Sequence, residues 1–150
     1  MILYLDTSSL IKLYLEEVGS GDVVAQVGEA HSTATSWIVY TGARSAFARK
    51  YREKGMSPAQ YEGLLSTFEA EWLTHTAIEV SVQVLRSAGQ LTEKHGLRAL
   101  DAIHLASALD LWGGPTTPPL AVIFSSADRR LQDAARAEGL EVPRSTNDGH

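Results

Sequence analysis

The sequence predicts a three-layer α/β domain, in which helices flank a central, mainly parallel sheet of four or five strands. Short β-rich runs alternate with helical patterns along the 150 residues, which is typical of βαβ units. Residues 120–124 form a continuous apolar run, as expected for a strand buried on both faces of a parallel sheet. In addition, two of the predicted strands lead through an aspartate and small polar residues into a helix, once at Asp6 and again at Asp128.

Local patterns place each element along the chain. The apolar run at residues 2–5 predicts the first strand, and Leu10 and Leu13 follow at the spacing of a buried helical stripe. Ser57 before Pro58 indicates a helix start, because serine caps the first turn and proline is well tolerated there. The predicted strands cover residues 2–5, 31–35, 72–76 and 120–124, with an edge strand at 140–142. The predicted helices cover residues 7–15, 22–27, 37–51, 58–72, 78–91, 97–112 and 129–138.

Length and composition predict one domain at residues 1–144 and a loose tail at residues 145–150. A hydrophobic content of 44% in 150 residues is sufficient for one substantial core. The sequence has no cysteine, which excludes disulfides and thiolate metal sites and fits a reducing cytosol. Asp6 interrupts the first apolar run and no basic stretch precedes it, so we expect neither a signal peptide nor a membrane span. We therefore expect a soluble, cytoplasmic protein.

The charge balance bears on the class of partner. A formal net charge of −5 argues against a protein that coats nucleic acid non-specifically, because that affinity comes largely from neutralised phosphates. A surplus of acid is also expected of a metal site made of carboxylates, since such a site approaches neutrality only when cations are bound.

Asp6 has two interpretations that the sequence leaves open. An acid at the carboxyl end of a buried strand, beside a helix start, lies where open α/β sheets bind their ligands. Alternatively, Asp6 only caps the following helix through its side chain. Thr7, Ser8 and Ser9 are equally able to cap, so the acid is not needed for that purpose.

Asp101 interrupts the apolar face of a predicted helix. At 100° per residue, Leu105 and Ala108 fall on the same face as Asp101, so this carboxylate needs compensation near the core. The compensating group is an arginine such as Arg98, a helix N-terminus or a metal ion. Taken alone, structural pairing is favoured over ligation.

Together, Asp6, Asp101 and Asp128 form a candidate catalytic and metal-binding set. Two of them follow predicted strands and the third begins a helix, a pattern that brings short acidic side chains to one edge of a sheet. Carboxylate oxygens suit Mg²⁺ or Mn²⁺, whereas zinc is disfavoured because the chain offers no sulfur ligands and no paired histidines at metal spacing. A metal held in this way can activate water and stabilise charge on a phosphate.

Three acidic segments resemble the signatures of PIN domains, specifically the VapC-type ribonuclease toxins. They are residues 3–8, 97–106 and 124–131. The resemblance covers essentially the whole chain and implies a parallel sheet flanked by helices, with the strands before Asp6 and Asp128 side by side. It further implies Mg²⁺- or Mn²⁺-dependent cleavage of RNA phosphodiesters, and we expect Asp6 and Asp101 to be the principal metal ligands and Asp128 to complete the site or position water. A cognate antitoxin protein and self-association into a homodimer are the partners that it implies.

Gly42 is the one departure from this resemblance. The family carries a further glutamate in the helix after the second strand, and residues 35–46 match that region with Gly42 at the glutamate position. Glycine supplies no ligand and costs about 1 kcal/mol of helix stability relative to alanine. Glu29 and Glu53 lie too far along the chain to replace the missing acid. We therefore expect the chain to be an attenuated or inactive ribonuclease.

Neighbouring side chains and rival functions complete the expectations. His104 is expected to be a hydrogen-bonded core residue rather than a metal ligand, and Thr7 and Ser126 to orient carboxylates or water. A signalling receiver also gathers acids around Mg²⁺, but it requires a lysine after a late strand and this chain has none beyond Lys94. A catalytically dead PIN-like module that binds an antitoxin or RNA without cleavage remains the main alternative.

Overall fold

The computed structural model describes residues 1–144, so the predicted tail at residues 145–150 lies outside the described residues. Its four strands form one parallel sheet in the order β3-β2-β1-β4. The strands are β1 (Ile2–Leu5), β2 (Ser32–Ser36), β3 (Thr76–Ile78) and β4 (Val122–Ser125). The helices are α1 (Thr7–Ile11), α2 (Ser20–Glu29), α3 (Ile38–Arg52), α4 (Pro58–Trp72), α5 (Val82–His95), α6 (Ala99–Trp112) and α7 (Arg129–Ala137). The predicted α/β class and parallel sheet are confirmed.

Two hydrophobic clusters cover the two faces of the sheet and create the three layers. Side chains alternate between the faces of a strand, so Tyr4 points to one cluster while Leu3 and Leu5 point to the other. Helices α5, α6 and α7 pack on the Tyr4 face, and α1 to α4 pack on the opposite face. Because both faces are covered, β1 and β4 are almost fully apolar up to the residues where they end.

The register between β1 and β4 determines which residues meet at the carboxyl edge of the sheet. Leu5 lies opposite Ser125, and the backbone N–H of Asp6 donates to the carbonyl of Ser125 at 3.1 Å. Parallel pairing therefore brings Asp6 beside Ser126, two residues before Asp128. The expected neighbouring position of these two strands is confirmed.

Several predicted boundaries near the first helix and the third strand are wrong. The first helix ends at Ile11 rather than residue 15, because the following backbone N–H groups of residues 12–14 bond three residues back and form turns. The predicted strand at residues 72–76 is displaced: Trp72 is the last residue of α4, and β3 begins only at Thr76. The next helix starts at Val82 rather than residue 78, because Ser81 caps it by accepting from the N–H of Val84 at 3.1 Å.

Helix α5 also continues four residues beyond its predicted end, to His95, before Gly96 with a φ of 65°. The second helix begins two residues early, at Ser20, after Gly19 with a φ of 91°. The predicted edge strand at residues 140–142 is reduced to a single parallel bridge between Ile123 and Glu141. Pro143 follows directly and has no amide hydrogen, so it cannot donate to a continuing ladder.

Within residues 1–144, no helix combines the length and the apolar character that a membrane crossing requires.

Candidate active site

Asp6 is both a helix cap and a buried acid at the end of β1. Its Oδ1 accepts hydrogen bonds from the N–H of Ser9 at 2.9 Å and from the hydroxyl of Ser8 at 2.7 Å. The residue is only 3% exposed. Burial raises the pKa of Asp6 and the nearby charge of Asp128 raises it further, while hydrogen bonds from Ser126, Ser8 and Ser9 oppose this rise. The interpretation of Asp6 as a helix cap is thus confirmed. Capping alone does not explain why an ionisable side chain occupies a buried position.

Asp128 lies beside Asp6 because β4 runs parallel to β1. Its Oδ1 accepts from the N–H of Leu131 at 3.0 Å, so this acid caps α7 as Asp6 caps α1. Ser8 joins the two strand ends, because its hydroxyl donates to Asp6 Oδ1 at 2.7 Å and accepts from the N–H of Ala127 at 3.0 Å. The hydroxyl of Ser126 accepts from the N–H of Asp128 at 3.0 Å. The expectation that Ser126 orients carboxylates or water stays a prediction.

Arg98 holds the third acid close to the second. Its Nε donates to Asp101 Oδ2 at 3.0 Å, and its Nη2 lies 3.4 Å from Asp128 Oδ2. The guanidinium is highly exposed, whereas the Asp101 side chain is 18% exposed on the first turn of α6. The arginine compensation proposed for Asp101 therefore exists, and the same arginine is shared with Asp128.

A bound cation would balance the charge of the three carboxylates at this edge, but their oxygens are not arranged around a common point. Three acids supply oxygen donors, and Arg98 already provides the positive charge that two of them need. As the side chains stand, no three acids or histidines among residues 1–144 are arranged to hold one metal ion. The donor chemistry therefore fits a hard divalent cation, while binding it requires Arg98 to give up its contacts.

His104 is a buried residue of α6 that hydrogen-bonds both β1 and the start of α1. Its Nδ1 lies 2.8 Å from the hydroxyl of Tyr4, and its Nε2 lies 2.9 Å from the hydroxyl of Thr7. The N–H of Thr7 also donates to Nε2 at 3.3 Å, so Nε2 is an acceptor and the ring proton lies on Nδ1. The core assignment of His104 is confirmed. The expectation that Thr7 orients a carboxylate is wrong, because its hydroxyl is directed to this imidazole.

Replacing His104 with glutamine is expected to flatten the acid dependence of stability. Burial lowers the pKa of His104 to about 4, below the usual 6.5. As the pH falls, His104 therefore takes up a proton in the unfolded chain before it does so in the folded chain. The contribution of the neutral, buried His104 to folding stability is complete above pH 6.5 and is lost as the pH falls towards 4. The wild type should lose about 3 kcal/mol more unfolding free energy than His104→Gln between pH 7 and pH 4. Urea titrations across this range measure the difference, and parallel curves would refute the assignment.

Gly42 lies against the residue that follows Asp6. A Cβ built at Gly42 would approach Thr7 Cγ2 to 3.1 Å and Thr7 Oγ1 to 3.5 Å. The first distance is shorter than ordinary van der Waals contact, so glycine permits the close packing of α1 on α3. The structure thus supplies a local reason for Gly42 that the sequence did not reveal.

Sequence reasoning missed two features of this edge. One is the shared arginine bridge, although the spacing of Arg98 and Asp101 indicated the first half of it. The other is the pair of glutamines that hold the end of β4: Gln26 accepts from Ser125, and Gln132 donates to the carbonyl of Ser126. No sequence pattern distinguishes these glutamines from ordinary surface residues.

Comparison with known proteins agrees with the fold. The profile of the PIN domain family matches residues 3–137. Ribonuclease VapC49 of Mycobacterium tuberculosis is 30% identical over 141 residues, covering 94% of each chain. Ribonuclease VapC35 of the same species is 31% identical over 141 residues, covering 94% of this chain and 95% of its own.

Solved structures of low sequence identity share the fold. FitAcB from Neisseria gonorrhoeae aligns with a TM-score of 0.67 at 18% identity, over 96% of this chain and 97% of its own. VapBC2 from Rickettsia felis, bound to a DNA fragment from their promoter, aligns with a TM-score of 0.61 at 15% identity, over 95% and 98%. The family profile spans nearly the whole described chain, and the chain belongs to the PIN domain family.

Proposed function

We propose that the chain is a metal-dependent endoribonuclease toxin of a toxin-antitoxin module, attenuated by glycine at position 42. The observation that supports the proposal is a chain of neighbouring acids at one edge of the sheet: the charge of Asp128 acts on Asp6, and Arg98 bridges Asp128 and Asp101. Relatives at 30% identity named as ribonucleases support the activity.

The three aspartates are the proposed metal ligands and catalytic residues. A bound Mg²⁺ or Mn²⁺ ion would supply positive charge that activates water and stabilises a phosphate under attack. Asp6 is held rigidly by its hydrogen bonds to Ser8 and Ser9, which limits the cost of ordering it for binding. The Arg98 side chain is 77% exposed, and because exposed ion pairs contribute little free energy, its contacts with Asp101 and Asp128 cost little to give up.

The proposed partners are RNA as substrate, a cognate antitoxin protein and a second copy of the chain as a homodimer. A toxin-antitoxin complex from Klebsiella pneumoniae is among the solved structures that share the fold, which supports the antitoxin. Leu100 is 60% exposed directly beside Asp101, and an apolar side chain of an antitoxin could cover it while the acids are occupied. A cytoplasmic location remains part of the same proposal.

Metal removal tests the activity directly. Purified protein incubated with single-stranded RNA and Mn²⁺ should produce slow cleavage that EDTA abolishes and excess Mn²⁺ restores. Isothermal titration with Mn²⁺ alone measures binding independently of cleavage. Cleavage that continues unchanged in EDTA, after repeated purification, would refute the metal-dependent mechanism.

A binding module without catalysis is the second candidate. Two observations favour it: position 42 offers no carboxylate, and Arg98 already neutralises two of the acids. RNA binding without cleavage at any Mn²⁺ concentration would identify this case, whereas metal-dependent product formation would exclude it.

A further inference from the structure

A groove of about 420 Å³ adjoins the acidic edge without including the acids. It lies between α2 and α7, and part of its wall is the segment of Ser125, Ser126 and Ala127 that leads from β4 to Asp128. Ala127 of this wall donates its N–H to Ser8 Oγ at 3.0 Å, and Ser8 in turn donates to Asp6 Oδ1 at 2.7 Å, so the groove adjoins the acids. A molecule seated in the groove would therefore extend to the proposed site of cleavage.

Two glutamines, Gln26 on α2 and Gln132 on α7, line this groove, and a hydrogen bond to the end of β4 fixes the orientation of each side chain. Ser125 Oγ lies 3.0 Å from Gln26 Oε1, which leaves the Nε2 donors of Gln26 for another acceptor. Gln132 Nε2 donates to the carbonyl of Ser126 at 2.6 Å, which leaves Gln132 Oε1 as an acceptor. Both glutamines are half-buried residues of the groove lining, and no hydrogen bond in residues 1–144 occupies Gln26 Nε2 or Gln132 Oε1. The groove thus presents one amide donor and one amide acceptor.

Three charged residues complete the lining: the cations Lys12 and Arg129, and the acid Asp22. Arg129 is exposed and follows Asp128 directly in the chain. The Lys12 side chain is largely buried, 13% exposed, and its Nζ is 2.9 Å from Glu17 Oε2. Arg129 is therefore the cation available for an incoming anion, while Lys12 is already paired.

We propose, on the basis of the ribonuclease function proposed above, that this groove binds one unpaired nucleotide of the RNA next to the cleaved phosphodiester. The Watson–Crick edge of an unstacked base carries donors and acceptors that match Gln26 Nε2 and Gln132 Oε1, and this edge is free only in single-stranded RNA. Arg129 contacts the phosphate of the same nucleotide. A volume near 400 Å³ suits one small ligand and is too small for a duplex.

The test separates base reading from phosphate contact. Gln26→Glu keeps an acceptor for Ser125 but replaces the donors with a negative charge. That charge alone would weaken all three homopolymers alike, so the loss of base preference is the readout for the donors. Arg129→Gln removes the positive charge. Gln90→Glu and Arg86→Gln, both exposed on α5, are matched controls. Affinities for fluorescein-labelled adenylate, cytidylate and uridylate homopolymers are measured by anisotropy in EDTA, so that no cleavage interferes. Thermal melting verifies that each variant is folded.

The expected results differ for the two positions. The wild type should prefer one homopolymer, and Gln26→Glu should bind that homopolymer roughly tenfold more weakly and lose the preference. Arg129→Gln should weaken all three by a similar factor and reduce the salt dependence of binding. The two control variants should behave as the wild type does.

Two outcomes would overturn the assignment: a wild type that binds none of the homopolymers, or Gln26→Glu and Arg129→Gln variants that keep wild-type affinities and ranking. Cleavage in Mn²⁺ is scored separately. Groove-dependent binding without cleavage would refute the nuclease function and leave the groove assignment standing. Cleavage whose rate and base preference are unaffected by Gln26→Glu would refute the groove alone.

Discussion

Replacing Asp6 with asparagine is expected to reduce Mn²⁺-dependent RNA cleavage by at least about a hundredfold. Residues that only orient metal ligands already contribute factors of 10 to 100, so a direct ligand should contribute more. Asparagine retains an oxygen that can accept from Ser9 and Ser8, and it is as good a helix cap as aspartate. The loss should therefore come from the missing charge and not from unfolding of α1. Cleavage rates and Mn²⁺ titrations of both proteins measure it.

The same substitution should leave the metal-free protein equally stable or more stable. Asp6 is buried and its pKa is raised, which means that the folded protein disfavours the charged carboxylate. Asparagine has no charge to bury, so its melting temperature in EDTA at neutral pH should not fall below that of the wild type. Loss of activity together with unchanged or greater stability is typical of a functional residue rather than a structural one.

Asp110→Asn provides the matched control, because Asp110 is an exposed aspartate at the other end of α6. It changes the net charge by the same amount and should leave cleavage unchanged. Equal activity of the wild type and Asp6→Asn would remove Asp6 from the proposed metal site. A similar loss in Asp110→Asn would indicate a general charge effect.

The fold was predictable from the sequence wherever one local signal dominated. The apolar run before Asp128 and the cap-and-proline start at Ser57 and Pro58 both correspond to observed elements. The third strand was misplaced because Thr76 to Ile78 is only three residues long, and its pairing with β2 decides its position. The first helix was overextended because its apolar stripe continues through turns that still pack against the core.

The sequence predicted which acids lie at this edge of the sheet, but it did not predict the contacts that they make. Parallel strand ends made the meeting of Asp6 and Asp128 predictable, since both precede helices at the same edge. The sharing of Arg98 between Asp101 and Asp128 depends on where α6 sits relative to β4, which no local pattern records. The direction of Thr7 towards His104 likewise depends on a contact between residues 97 positions apart.

Restoring a carboxylate at position 42 is expected to increase cleavage, provided that space is made for it. A Cβ at Gly42 would come within 3.1 Å of Thr7 Cγ2, so Gly42→Glu alone must displace the residue that follows Asp6. Thr7→Ser removes that methyl group and retains the hydroxyl that contacts His104. We therefore expect the double variant Thr7→Ser, Gly42→Glu to cleave RNA roughly tenfold or more faster than Thr7→Ser alone, because an added acid strengthens the metal site.

The double variant Thr7→Ser, Gly42→Ala separates the effect of an added carboxylate from the effect of removing glycine from α3. Alanine and glutamate both relieve the cost of glycine inside α3, which is up to about 1 kcal/mol, so both double variants should melt at a higher temperature than Thr7→Ser. Only the glutamate variant should also bind Mn²⁺ more tightly and cleave faster. If the alanine variant matches it in both measurements, the missing acid at position 42 does not limit activity, and the exposed Arg98 bridge becomes the next explanation for a weak site.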